Sequence, residues 1–213
     1  ILNEMESNSL KNAKIALENK EFLKADELYS KVLDKNSHSL EGLFGRGIVH
    51  LNLNEIIIAK DFFMKFIEID QSNDAPYTNL GIISQKLNKS NDAIDFYQKS
   101  INLKPNLTSL LNLSSIFWSM KEHLKAIDLL ETNLDFNNSI ILSRLSRWNL
   151  ELGNFIKSLK YSCNIILFKK YDDIFYAAEN NFCISLQHIK DEEFLDKNSY
   201  VLEALNILLD QDK

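Results

Sequence analysis

The chain is poor in the residues that break helices or cross-link loops. Of 213 residues, two are Pro, five are Gly and two are Cys. An all-β fold needs many tight turns and the residues that make them, so this scarcity suits a succession of helices. Cys163 and Cys183 show neither CxxC nor metal-ligand spacing and are expected as reduced residues of a core or its margin. No run of 18 apolar residues exists, which excludes a helical membrane span. The opening ILNEMESNSLKN has no basic head, no apolar stretch and no initiator Met. That excludes a signal peptide and suggests an excised domain or a processed product. A basic excess is also missing: 24 Lys and Arg stand against 30 Asp and Glu, a net charge of −6. Nucleic acid is therefore not the expected partner. No P-loop, GxGxxG or GxSxG occurs, and none of His38, His50, His123 and His188 has a second ligand at helical spacing. The expectation is a cytoplasmic protein that is not an enzyme, with no metal and no cofactor.

What is present is helical periodicity with a long-range repeat. In DAPYTNLGIISQKLNKSNDAIDFYQKSINLKPN, residues 74–106, Tyr77, Leu80, Gly81 and Ser84 recur at i, i+3, i+4 and i+7. Ala93, Ile94, Tyr97 and Ile101 share one face of a second helix. Pro105 ends that helix, Asp74 is a plausible N-cap for the first, and Pro76 falls harmlessly in its first turn. Two helices this short cannot bury their apolar faces alone; stacked copies can. An Ala followed four residues later by an aromatic occurs at Ala25–Tyr29, Ala59–Phe63 and Ala93–Tyr97, each 34 residues apart. Ala126–Leu130 follows 33 later and Ser158–Ser162 another 32 later.

With Tyr77, Leu80-Gly81, Ala93, Tyr97 and Pro105 in place, the chain resembles the tetratricopeptide repeat family, over roughly residues 6–168. The resemblance implies an all-α, right-handed α-α superhelix of five repeats, about 6–35, 40–70, 74–106, 107–137 and 139–168. That array, 1–170, is followed by a divergent sixth repeat and capping helix over 171–213. Small residues such as Gly47, Ala59, Gly81 and Ala93 are expected to let paired helices approach. The large ring on the second helix then fills space against the next repeat.

The resemblance also implies a function: a scaffold whose first helices line a concave groove that binds a peptide segment of another protein. The groove-facing places hold Phe44 and Ile48, then Asn79 and Ile82, then Leu111, Asn112 and Trp118, then Arg144 and Arg147. Asn79 and Asn112 can both donate to and accept from a peptide backbone. Arg144 and Arg147 can receive a carboxylate bidentately, and Trp118 can serve as an anchor. Chaperone-binding members of the family hold two carboxylates with a Lys, Asn and Arg set. Here the aligned places hold Leu10, Lys14, Gly45, Ala75 and Asn79 in one window and Thr78, Ile82, Asn112, Ile140 and Arg144 in the next. Neither window completes the set. Two alternatives stand beside the scaffold: a recruiting domain of a larger glycosyltransferase, sulfotransferase or oxygenase, and a homo-oligomer assembled through exposed end faces.

Overall fold

The computed structural model describes residues 2–135, 137–191 and 193–210, with side chains from residue 7 onward; residue 192 of the acidic run 191–193 lies outside them, as do residues 211–213. The described residues are all-α. Paired helices follow one another: α1 (Leu2–Glu18) and α2 (Phe22–Lys35), α3 (Leu40–Asn52) and α4 (Ile56–Ile69), α5 (Asp74–Lys86) and α6 (Ser90–Leu103). Then come α7 (Leu107–Ser119) and α8 (His123–Thr132), α9 (Ser139–Glu151) and α10 (Phe155–Leu167), and α11 (Asp173–His188). The short α12 (Phe194–Lys197) leads into α13 (Ser199–Asp210). The chain forms two compact units that divide inside α7, between Ile116 and Phe117.

Helix ends explain why the pairs recur. The turn inside each of the first five pairs carries one residue with positive φ: Lys20, Asn54, Asn88, Lys121 and Gly153, at +57° to +75°. Around each, two backbone bonds close the preceding helix. In the first turn Lys20 N–H donates to Leu17 O (3.0 Å) and Glu21 N–H to Ala16 O (2.8 Å). The same pair recurs at Asn88 to Gln85 and Lys89 to Ser84. This is the Schellman pattern, which satisfies carbonyls the helix leaves open. Only Gly153 is a glycine; the other four hold side chains in a left-handed conformation at some cost.

The first helix of each following pair, in contrast, is started by a side-chain cap. Ser39 accepts from Gly42 N–H, Asn73 from Ala75, Asn106 from Ser109, Asn138 from Ile140 and Ile141, and Asp172 from Phe175. The cap of α5 is thus Asn73 and not Asp74. Asp74 is the first helical residue, and its carboxylate accepts from Asn106 Nδ2 at 3.2 Å.

In the first unit the core is a series of rings laid on glycines. A methyl on Gly81 would meet the Tyr97 ring at 2.5 Å, and one on Gly47 would meet Phe63 at 2.7 Å. Each ring lies on the glycine of its own repeat and also reaches the next one: Phe63 packs with Leu80 and Ile83, and the Tyr97 hydroxyl accepts from Asn112. The first repeat differs. Ala13 stands where Gly47 and Gly81 stand later, so its methyl fills that space. The Tyr29 ring lies instead on Gly45 of the following repeat, 2.3 Å from where a Cβ would sit. Ala25, Ala59 and Ala93 are wholly buried beside these rings.

His50, which has no second metal ligand at helical spacing, is buried in a polar clasp between α2 and α3. Arg46 donates to both oxygens of Asp26 at 2.7 and 3.0 Å and lies over the Phe62 ring. His50 stacks on the same ring, pairs through Nδ1 with Glu55, and has Nε2 3.1 Å from Asp26 without hydrogen-bond geometry.

In the second unit α11 packs on α9 and α10, and α13 packs on α10. At their centre Ser146 contacts the Ser162 hydroxyl at 2.7 Å, donates to Ser158 O and accepts from Asn181 Nδ2 at 3.1 Å. Cys163 is buried and Cys183 is exposed.

Candidate functional site

The first unit holds an apolar cleft of about 540 Å³ between its first helices. Its walls are Leu17 of α1, Leu40, Phe44 and Ile48 of α3, and Phe66 of α4. Its floor is Gly45 with the Tyr29 ring upon it, and Asn73 and Ala75 close the α5 side. Lys14 and Glu41 stand at the rim as an exposed pair at 3.7 Å. Phe44 is fixed edge-on to Phe63 and Phe66, with centroids 5.5 and 6.1 Å away. Half-buried Phe44 and Ile48 are therefore preset, not free to rotate in solvent. Pre-set apolar walls with few polar groups are what a cleft needs to take an apolar side chain.

Tyr29 is 2% exposed. Among the described residues its hydroxyl has no hydrogen-bond partner. Burial, then the charges of Glu41 and Glu18, raise its pKa above the ordinary phenol value, so it stays protonated at neutral pH.

The other sequence candidates are placed differently. Asn79 and Ile82 lie half-buried on α5, and the Asn79 amide donates to Ala75 O of its own helix at 2.9 Å. Leu111 and Asn112 lie half-buried on α7; Asn112 Nδ2 donates to the Tyr97 hydroxyl at 3.0 Å. One N–H of each of Asn79 and Asn112 is thus engaged inside the fold. In the second unit Trp118 stacks on Trp148 (4.4 Å, 3°) and lies tilted by 33° against His123 (4.2 Å). Arg144 and Arg147 do share a small cleft of about 160 Å³ with Ile140, Ser143 and Ile174. Arg144 sits 5.5 Å over the Trp148 ring; burial, then the charge of Arg147, lower its pKa from the ordinary value. Arg147 is exposed and 3.5 Å from Glu151.

Sequence reading named two cleft walls, Phe44 and Ile48, and missed Tyr29 and Gly45. The available signal was the crowding of Gly42, Gly45 and Gly47 into one helix, where each glycine costs about 1 kcal/mol against Ala.

The family model for the tetratricopeptide repeat matches residues 75–107. Over these residues the chain matches a tetratricopeptide repeat, and its paired helices share the fold of tetratricopeptide repeat proteins. Its solved structural neighbours of the same fold include MamA, at a TM-score of 0.56 and 20% identity, covering 92% of this chain and 96% of that one. They also include YrrB, described as a tetratricopeptide repeat protein with an unusual peptide-binding site. YrrB aligns at a TM-score of 0.59 and 18% identity, over 81% of this chain and 90% of its own. Among curated proteins, the chain is 30% identical over 96 residues to the probable UDP-N-acetylglucosamine–peptide N-acetylglucosaminyltransferase SPINDLY of Solanum lycopersicum. The match covers 45% of this chain and 10% of that protein's length. Among the described residues no helix is long and apolar enough to cross a membrane.

Proposed function

We propose that this chain is a protein-interaction module that binds a peptide segment of another protein, anchored in the first-unit cleft. The observation that carries the reading is the 540 Å³ cleft with its rigid apolar walls. The likeness to YrrB, described as having an unusual peptide-binding site, supports it. Phe44 and Ile48 grip the apolar anchor. In the second unit Arg144 and Arg147 receive a carboxylate, supported by their shared cleft. A screen of surface-displayed random heptapeptides tests the cleft, comparing wild type with Ala75→Phe. Ala75 is half-buried at the cleft wall, so a ring there occupies the space, and the backbone N–H that donates to the Asn73 cap is retained by the substitution. The variant should lose about tenfold or more in affinity, near 1.4 kcal/mol. Equal retention by both would move binding away from the cleft. A second reading is that these repeats recruit substrates for a glycosyltransferase domain elsewhere in a longer chain. The SPINDLY similarity favours it, and reading the coding sequence on either side tests it.

A further inference from the structure

The Tyr29 hydroxyl differs from that of its counterpart two repeats later. At Tyr97 the hydroxyl donates to Gln85 Oε1 at 2.5 Å and accepts from Asn112 Nδ2 at 3.0 Å, so two carboxamides complete it. Counting back through the repeats, the place of Gln85 in repeat one is Leu17. The place of Asn112 goes through Asn79 to Gly45. Neither residue can hydrogen-bond through a side chain, and both line the cleft. A nearly buried phenol therefore faces a cleft where its repeat-three counterpart meets amides. The rest of the lining is apolar apart from Asn73 and the charge-balanced pair Lys14 and Glu41.

We propose that the cleft recognises a carboxamide side chain, Asn or Gln, of the bound peptide, which bonds the Tyr29 hydroxyl in place of the missing internal amides. This rests on the peptide-binding reading above. A carboxamide offers both the acceptor and the donor that Tyr97 receives from Gln85 and Asn112. Apolar residues flanking it in the peptide lie on Leu17, Phe44, Ile48 and Phe66. A carboxylate accepts but cannot donate, so it cannot supply both of the bonds that Gln85 and Asn112 give Tyr97.

The test uses a fluorescein-labelled heptapeptide selected in the display screen, its analogue with norleucine for the carboxamide residue, wild type, and Tyr29→Phe. The screen should enrich Asn or Gln at one position. Wild type should bind the norleucine analogue about tenfold more weakly than the parent by anisotropy. Tyr29→Phe should bind both alike and should keep the wild-type urea midpoint, because no internal hydrogen bond is lost. Absence of enrichment, or equal discrimination by Tyr29→Phe, overturns the carboxamide while leaving the cleft in place through its Ala75→Phe sensitivity. Loss in Tyr29→Phe with no effect of norleucine assigns the bond to peptide backbone and also overturns it. Binding indifferent to Ala75→Phe, or an Ala75→Phe-sensitive dimer in sedimentation velocity, removes the peptide cleft altogether.

Discussion

Replacing Gly81 by Ala separates the two jobs a helical glycine can have. On an exposed helix this change gains about 1 kcal/mol of helix propensity. At Gly81 the added methyl would lie 2.5, 2.6 and 2.9 Å from three atoms of the Tyr97 ring. Such approaches force a shift. The ring is wholly buried, and its hydroxyl is held at both ends, by Gln85 at 2.5 Å and Asn112 at 3.0 Å. Overpacking costs about 1–3 kcal/mol, and tilting the ring weakens hydrogen bonds of about 1 kcal/mol each. Subtracting the propensity gain leaves a net loss of about 1–3 kcal/mol. Urea unfolding followed by far-UV circular dichroism should show the midpoint fall by roughly 1 M, given slopes of about 1–3 kcal/mol per M. A double-mutant cycle with Tyr97→Leu should return a coupling of about 1 kcal/mol or more, since Leu withdraws the ring. A rise in the Gly81→Ala midpoint, or zero coupling, would refute the ring-on-glycine packing.

Three further expectations are simpler. Lys121→Gly should raise the urea midpoint by about 1 kcal/mol of stability, because Lys121 holds φ at +63° where glycine is unstrained. Ser146→Ala should lower stability by about 1–3 kcal/mol, since Asn181 Nδ2 and the Ser162 hydroxyl lose their shared partner in the second-unit core; both are read by the same titration. Iodoacetamide at pH 8 should label exposed Cys183 and spare Cys163, as mass spectrometry would show. Burial pushes the Cys163 thiol up to about 12, leaving roughly 10⁻⁴ as thiolate.

The helix pairs are legible in the sequence because core packing repeats with the chain. Ala25, Ala59 and Ala93 lie wholly buried at the same place in each helix pair, where a larger side chain has no room, so the 34-residue spacing shows directly. Turns are less legible: Lys20 and Lys121 adopt the left-handed conformation that Gly153 advertises, with nothing in their side chains to say so. Asn112 and Trp118 illustrate a second limit. Each occupies a place that faces a groove in the resembled family, and each is claimed by a neighbour, Tyr97 and Trp148. A residue type at a repeat position does not show which partner reaches it first. One consequence is that Asn112→Ala should cost stability as well as any binding. The cleft depends on the direction in which the Tyr29 ring falls. That direction is decided by Ala13 on one side and Gly45 on the other, 32 residues apart in the chain.

The most direct measurement is an amide chemical-shift titration of the ¹⁵N-labelled chain with a heptapeptide selected in the display screen. The account predicts saturable shifts clustered at residues 14–17, 29, 40–48 and 73–75, abolished in Ala75→Phe. Shifts confined to the second unit, or to the exposed aliphatic residues Leu23 and Ile57, would contradict it.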